Sequence, residues 1–500
     1  MVIVRLNEAN FEYDIYGLVK SFFPTQSVEI QYEEGAEPKD SAPKPHEIEE
    51  PITLRMKVHY ENGRIGLSMS EGDAEECIHT SEVEVDDSDR KDTKNRLKRL
   101  IYQALTKYTG KELPWGTLTG IRPTKIALTK LLEGVELEDI RSYMKETYLT
   151  SDEKIDLSIQ VVTKEMEMLS QVDYKDGYSL YIGIPFCPST CLYCSFPSYA
   201  LASYNGQVEK YLQCLEKELK FLSESVPHKK LTTIYFGGGT PTSLSAQQLD
   251  WLLGKVEEYL NLGDLLEYTV EAGRPDSITR DKLEVLKAHG VNRISINPQT
   301  MKQETLKLIG RHHTVESIYD AYQMAREVGF ETINMDMILG LPGESLEDVE
   351  RSLQEVAKLK PDNLTVHSLA IKHSSRLNIE WDKYRNYVME NSNSHMEAAY
   401  KVAAELGMKP YYLYRQKNMA GNLENVGFSV SGHEGLYNVL IMEEKQTIMA
   451  LGAGSACKYV TDGGKTVTRS ENVKDVTNYI DRIDEMIERK RNKLEEIAWL

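Results

Sequence analysis

The chain has 500 residues, 41% of them hydrophobic and 27% charged, with 59 basic against 78 acidic side chains and a net charge of −19. At roughly 150 residues per domain this is about three folding units with enough apolar content for a sizeable core. The composition excludes wholesale disorder, the acidic balance excludes a broad phosphate-gripping face for nucleic acid, and six cysteines are too few for a disulfide scaffold.

In chain order, residues 1–170 read as an accessory α+β region. The stretch 33–51 is proline-rich, charged and nearly free of apolar residues, which predicts a surface loop. Residues 53–72 alternate in polarity about Glu61-Asn62-Gly63, and Asn-Gly predicts a two-residue hairpin turn. Helical spacing follows over 89–108, again after PWGTLTGIRPTK up to Gly134, and over 135–172.

From 178 to about 370 the pattern changes. β-branched and aromatic runs at 178–186, 231–239, 267–273, 292–299, 332–343 and 362–370 alternate with amphipathic helical runs. Six strand–helix units predict a parallel sheet with right-handed crossovers, whose working residues belong at the C-terminal strand ends. Those ends carry the cysteines, a triple glycine, Glu271, Gln299, Asp336 and the segment from His367 to Ala370. Beyond 400, an apolar strand precedes a glycine-rich loop at 448–460, and the last 30 residues predict a charged helix.

Cys187, Cys191 and Cys194 form CPSTCLYC directly after the first of these strands. Three thiolates on one loop can hold three irons of a [4Fe–4S] cluster and leave the fourth open; the alternatives are a zinc site lacking a nearby fourth ligand, or buried thiols. Gly237-Gly238-Gly239-Thr240-Pro241 ends the second strand, where glycines allow close backbone approach and can expose N–H groups; a plain strand-to-helix turn is the other reading. Glu271 is either a ribose acceptor or a solvated loop acid, and Tyr181 either a ligand contact or a strand aromatic. His312-His313 point different ways on a helix, which favours capping or surface roles. Cys214 reads as a core thiol, and Cys457 as core or substrate-facing. Arg415, Lys417 and Lys372 are candidates for pairing with carboxylates.

The setting YIGIPFCPSTCLYCSF resembles the radical S-adenosylmethionine (SAM) superfamily, and its flanks resemble the oxygen-independent coproporphyrinogen III oxidase (dehydrogenase)-like family. Gly183 stands where that family often has His. PWGTLTGIRPTK and YLYRQKNMAGNLENVGF are similar to its HemZ-type branch. The resemblance implies an α/β fold, a partial parallel (β/α)6 barrel of radical SAM type. Its divisions would be an N-terminal α+β domain at 1–170, the radical SAM core at 171–400 and a C-terminal α/β extension, family-specific, at 401–500.

It also implies an oxidoreductase with a [4Fe–4S] cluster on Cys187, Cys191 and Cys194, and no catalytic residue beyond that cluster. SAM would be held by Tyr181, Tyr193, Gly238, Gly239, Thr240 and Glu271. Gln299, Arg311, Asp336 and Ala370 match a set around a second SAM, so one molecule or two are implied. The implied reaction is oxygen-independent oxidative decarboxylation of coproporphyrinogen III propionates to vinyls, giving protoporphyrinogen IX in haem biosynthesis. A flavodoxin- or ferredoxin-type reductant is the implied partner. Phe196 stands where the dehydrogenase branch carries a further cysteine. The alternatives are a haem-binding or haem-delivery protein with a cluster, and a radical SAM enzyme acting on haem itself. No basic leader and no run of about 18 apolar residues is visible, so the expected location is the cytoplasm, with no membrane span and no nucleic-acid partner.

Overall fold

The computed structural model describes residues 1–36, 51–74, 76–120, 122–415 and 423–500. Residues 37–50 of the expected surface loop, and Lys417, lie outside the described residues. The chain divides into two compact units: Met1–Val162 with Asn391–Asn393 and Leu413–Asn425, and Thr163–Glu390 with Ser394–Tyr412 and Val426–Leu500.

The first unit is built on a five-stranded sheet: β1 (Val2–Leu6), β2 (Val28–Tyr32), β3 (Leu54–Glu61), β4 (Arg64–Glu71) and β5 (Cys77–Glu84), in the order β2-β1-β3-β4-β5. β3 and β4 are the expected hairpin. Glu61 pairs with Arg64, and Asn62 and Gly63 take φ of 49° and 74°, both left-handed, as a type I′ turn requires. Helices Glu12–Phe22 and Arg90–Thr109 supply Ile15, Leu18, Val19, Leu97, Ile101 and Leu105 to one core with Val2, Val4, Leu54, Val58 and Leu67. Asp89 caps the second helix by accepting from the amides of Lys91 and Asp92. The helical region 135–172 is two helices, Leu137–Tyr148 and Asp152–Leu169, interrupted where Leu149 turns to φ 55°.

The second unit carries β6 (Gly177–Ile184), the two-residue strands β7 (Phe186–Cys187) and β8 (Tyr199–Ala200), then β9 (Lys230–Gly238), β10 (Glu267–Gly273), β11 (Arg293–Ile296), β12 (Thr332–Leu339) and β13 (Asn363–Ser368). The six long strands are the six expected from the sequence. They are parallel and lie side by side in chain order, β6-β9-β10-β11-β12-β13, the winding of a partial (β/α)6 barrel. Helices Val208–Ser225, Ala246–Tyr259, Arg280–Ala288, Val315–Val328 and Leu346–Leu359 fall between them. Two of these start on reciprocal capping boxes, Ser245 with Gln248 and Ser345 with Asp348. Beyond β13 the sheet continues through β14 (Lys409–Tyr414) and β15 (Asn425–Ser429), the latter antiparallel to β13. Beyond β6 it continues through β16 (Thr447–Leu451), β17 (Ala456–Thr461) and β18 (Thr466–Glu471). The C-terminal extension thus finishes both edges of the sheet, and the charged terminal helix is Ile483–Glu496.

Candidate functional site

Most strand residues of the barrel are buried on both faces, as a parallel sheet under helices demands. In the C-terminal half of five strands one residue with a large side chain is only half-buried: Tyr181 on β6, Tyr235 on β9, Glu271 on β10, Asp336 on β12 and His367 on β13. These side chains form a polar band across the sheet, just below the loops that leave the strand ends. Tyr181, Tyr235 and Tyr437 stack with centroids 4.5–6.4 Å apart. Tyr235 donates to Glu271 at 2.6 Å. Burial pushes the Glu271 carboxyl up to about 7, the Tyr235 hydroxyl opposing and the Asp336 carboxylate adding to the rise. At Asp336 burial acts upward too, but the nearby His367 imidazole, with the polar side chains of Asn334 and Thr365, outweighs it and holds this carboxyl below its ordinary range. His367 Nε2 stands 3.9 Å from Asp336 and Asn334 donates at 2.7 Å. Two neighbouring acids are thereby set apart, one readily protonated and one held ionised.

Above this band runs the cysteine loop. Cys187 and Cys191 are buried and Cys194 is half-buried; none is in a disulfide. Leu192 anchors the loop, its amide bonding Ile309 O at 2.9 Å and its carbonyl accepting from Leu377 N at 2.9 Å, in a small core with Ile338, Leu341 and Tyr384. Burial pushes the Cys187 thiol up to about 11, partly offset by the Thr240 hydroxyl 3.4 Å from its sulfur. Burial likewise raises Cys194, whose sulfur receives Ser198 Oγ at 3.9 Å. Among the described residues no three His, Cys, Asp or Glu side chains gather about the position of a single metal ion. A cube needs no such gathering, since each thiolate takes a different iron. The residues present therefore fit the cluster better than zinc.

The glycine turn behaves differently from expectation in one respect. The amides of Gly239 and Thr240 are not free: they bond Ile184 O at 2.7 Å and Phe186 O at 2.8 Å. Close approach is what the glycine provides, because a Cβ at Gly239 would lie 2.7–2.9 Å from Phe186 O, Pro185 C and Ile184 O. Tyr181 Oη is near Gly238, 3.2 Å from where its Cβ would be.

At the end of β11 several buried polar atoms have no hydrogen-bond partner: Ser295 Oγ, Asn297 Oδ1, Gln299 Oε1 and Arg311 Nε. Gln299 has φ 67°, a left-handed conformation costing a non-glycine residue about 1–2 kcal/mol, and is held by amide bonds to and from β12, Gln299 N to Asp336 O and Ile338 N to Gln299 O, both 2.9 Å. Arg311 is 5% exposed, donates to Asn297 O, and lies against Cys191 and Tyr193. Buried groups left unpaired cost about 1–3 kcal/mol each, so four such atoms on residues 295–311, one of them on the arginine against Cys191, are the pattern a ligand position would show. Ala370 lies two residues past β13. Of the ten SAM candidates Tyr181, Glu271 and Asp336 lie in the C-terminal halves of their strands, and the other seven, like the three cysteines, lie at or beyond strand ends.

Other sequence candidates fall elsewhere. Arg415 is 3% exposed; its Nη1 and Nε donate to Leu118 O at 2.6 Å and Leu423 O at 3.3 Å inside the first unit, which removes it from the carboxylate-pairing candidates. Cys457 is fully buried with its sulfur on the backbone of Ala450, a core thiol. His313 is buried rather than at the surface, and burial together with Arg311 lowers its imidazole to about 4. Lys372, just past Ala370, is half-buried, makes no ion pair among the described residues, and is lowered by burial alone. Sequence reasoning missed Tyr235, Asn297, Asn334 and Arg274. The signal was available only for Arg274, an arginine immediately after a barrel strand.

The chain matches the model of the Radical SAM superfamily over residues 181–356. It is 44% identical over 411 residues to the oxygen-independent coproporphyrinogen-III oxidase-like protein HemZ of Bacillus subtilis (strain 168), covering 81% of this chain and 82% of that protein. It is 35% identical over 311 residues to the heme chaperone HemW of the same organism, covering 61% of this chain and 76% of that protein. Among solved structures, coproporphyrinogen III oxidase (HemN) from Escherichia coli shares the fold with a TM-score of 0.50 at 23% identity, over 65% of this chain and 73% of that one.

Proposed function

Since the chain belongs to the radical SAM superfamily, within the oxygen-independent coproporphyrinogen-III oxidase-like family, we propose that it is an enzyme of tetrapyrrole metabolism. Radical SAM enzymes use a [4Fe–4S] cluster and SAM, which together supply hydrogen-atom abstraction when bound. Cys187, Cys191 and Cys194 would hold the cluster. The observation that carries this reading is a three-thiol loop touched by Arg311, which with Asn297 and Gln299 leaves buried polar atoms unpaired.

In this reading Tyr181, Gly238, Gly239 and Thr240 lie beside the amino-acid end of SAM, Gly239 acting by letting its strand end pack closely on the Ile184–Phe186 backbone. Glu271 accepts from ribose hydroxyls, and Tyr193 and Ala370 line the site. Gln299, Arg311 and Asp336 bind either the same SAM or a second one. Lys372 pairs with a propionate. The substrate is coproporphyrinogen III: SAM chemistry would take a hydrogen atom from the β-carbon of a propionate, and loss of CO2, with one electron passed to a separate one-electron acceptor, would leave a vinyl group. Two propionates react to give protoporphyrinogen IX. The cluster's electron comes from a flavodoxin- or ferredoxin-type protein, in the cytoplasm. The three-part division at 170 and 400 is kept as a functional one, with the middle part carrying the chemistry. No helix among the described residues is long and apolar enough to cross a membrane.

A second reading is a haem-binding or haem-delivery protein. Two observations favour it: Phe196, 69% exposed, occupies the position of the dehydrogenase branch's further cysteine, and the heme chaperone HemW is among the relatives. Anaerobic incubation of cluster-loaded protein with SAM, reductant and coproporphyrinogen III separates the two. Protoporphyrinogen formation is expected. Stable haem binding with SAM cleavage but no porphyrinogen conversion would favour delivery. A ring-opened or methylated product would indicate action on haem itself.

A further inference from the structure

Strand β10 does not end cleanly. Its register against β11 slips between Glu271 and Gly273, and Gly273 takes φ 61°, so the bulge turns the chain and delivers Arg274 beneath the cysteine loop. Arg274 is 2% exposed. Its Nε and Nη2 grip Asp276 at 3.0 and 2.6 Å in a two-point fork. The remaining nitrogen, Nη1, donates to both Ser189 O and Ser189 Oγ at 2.9 Å, and lies 3.9 Å from Cys191 Sγ. Ser189 sits between the first two cysteines and itself donates to Gly310 O at 2.9 Å. A chain of contacts therefore runs from Asp276 through Arg274 to the centre of the loop and to one sulfur.

A guanidinium buried this deeply is costly unless its charge is used. Asp276 compensates its charge along one edge only, and Nη1 on the other edge is held by neutral Ser189 oxygens next to Cys191 Sγ. Potentials of iron–sulfur clusters follow net charge, hydrogen bonds to sulfur and solvent exposure. Reduction adds one electron to the cluster, which a neighbouring positive charge favours. We propose that Arg274 is a positioning residue: it locks the loop between Cys187 and Cys191 and raises the potential at which the cluster accepts its electron. This rests on the cluster reading above and goes beyond it, since Arg274 is not among the residues that the family resemblance assigns.

The test uses the full chain, reconstituted anaerobically with iron and sulfide and titrated with dithionite as the one-electron donor while the reduced cluster is followed by electron paramagnetic resonance. Arg274→Gln keeps a hydrogen-bonding side chain but removes the charge, and its midpoint potential is expected to move more negative. Arg274→Lys keeps the charge and is expected to stay near the wild type. Asp276→Asn removes the compensating acid and is expected to move the potential the other way. Loss of cluster to a chelator should be about tenfold faster in Arg274→Gln. An unchanged potential in Arg274→Gln overturns the proposal. Should that variant not load, an Asp276→Asn potential at or below the wild type overturns it instead. If the wild type itself takes up no cluster, the functional reading fails first and takes this proposal with it.

Discussion

Two buried polar clusters in the second unit differ in one respect: whether every buried polar atom of the cluster has a partner. Around Glu218 everything is closed. The carboxylate is fully buried and accepts from Gly452 N, Asn472 Nδ2, Tyr479 Oη and Lys490 Nζ, and Lys490, 2% exposed, also donates to Asn472. At the end of β11 the network is open, with Asn297, Gln299 and Arg311 each leaving a buried atom unpaired. A closed network holds a fold together; an open one keeps capacity for something that arrives later. The first unit repeats the closed type, where Glu424 accepts from Trp115 and Lys154, all three wholly buried.

Cys191→Ala removes one of the three proposed cluster ligands, and the brown colour with most of the bound iron should disappear; iron content equal to the wild type would reject the ligand assignment. Next comes the closed network. Glu218→Ala leaves the Lys490 charge buried without its carboxylate and should cost about 3–5 kcal/mol of stability in denaturant unfolding. In the open network Gln299→Ala removes no hydrogen bond of its side chain, so stability should hold within about 1 kcal/mol. Yet SAM binding, followed by equilibrium dialysis, should weaken about tenfold, the equivalent of ~1.4 kcal/mol. Arg311→Ala and Asp336→Ala should weaken SAM binding too. Equal stability losses in Glu218→Ala and Gln299→Ala would erase the distinction between the two clusters.

The smallest effect concerns pH. The folded apoprotein holds Glu271 protonated up to about 7, against an ordinary value of 4.5. Its contribution to apoprotein stability is thus complete below 4.5 and lost as pH rises through about 7. The ionised carboxylate is the better ribose acceptor, so SAM affinity should rise a few-fold between pH 6 and 8, and Glu271→Gln should flatten that dependence. An unaltered slope in the variant would assign the titration to another group.

The sequence made the barrel legible because its strands are short buried β-branched runs separated by amphipathic helices, a pattern few other topologies accept. The cysteine spacing and the positions of Glu271, Gln299 and Asp336 at strand ends were equally readable. β1, β2 and β5 were not, being short segments whose pairing partners lie far along the chain, and β5 faces solvent along most of its length. Partnerships across strands were also hidden: Tyr235 with Glu271 is 36 residues apart, and the bulge that redirects Arg274 depends on β11. Arg415 misled because a charged residue in a polar stretch reads as exposed, whereas carbonyls of Leu118 and Leu423 enclose it.

The most direct test of the central claim is spectroscopic. Protein reconstituted with iron and sulfide is reduced with dithionite, and its electron paramagnetic resonance spectrum is recorded before and after SAM is added. An open iron corner predicts a cluster signal in the first spectrum and a changed signal in the second. A protein that stays colourless, or a cluster signal that saturating SAM leaves untouched, contradicts the account.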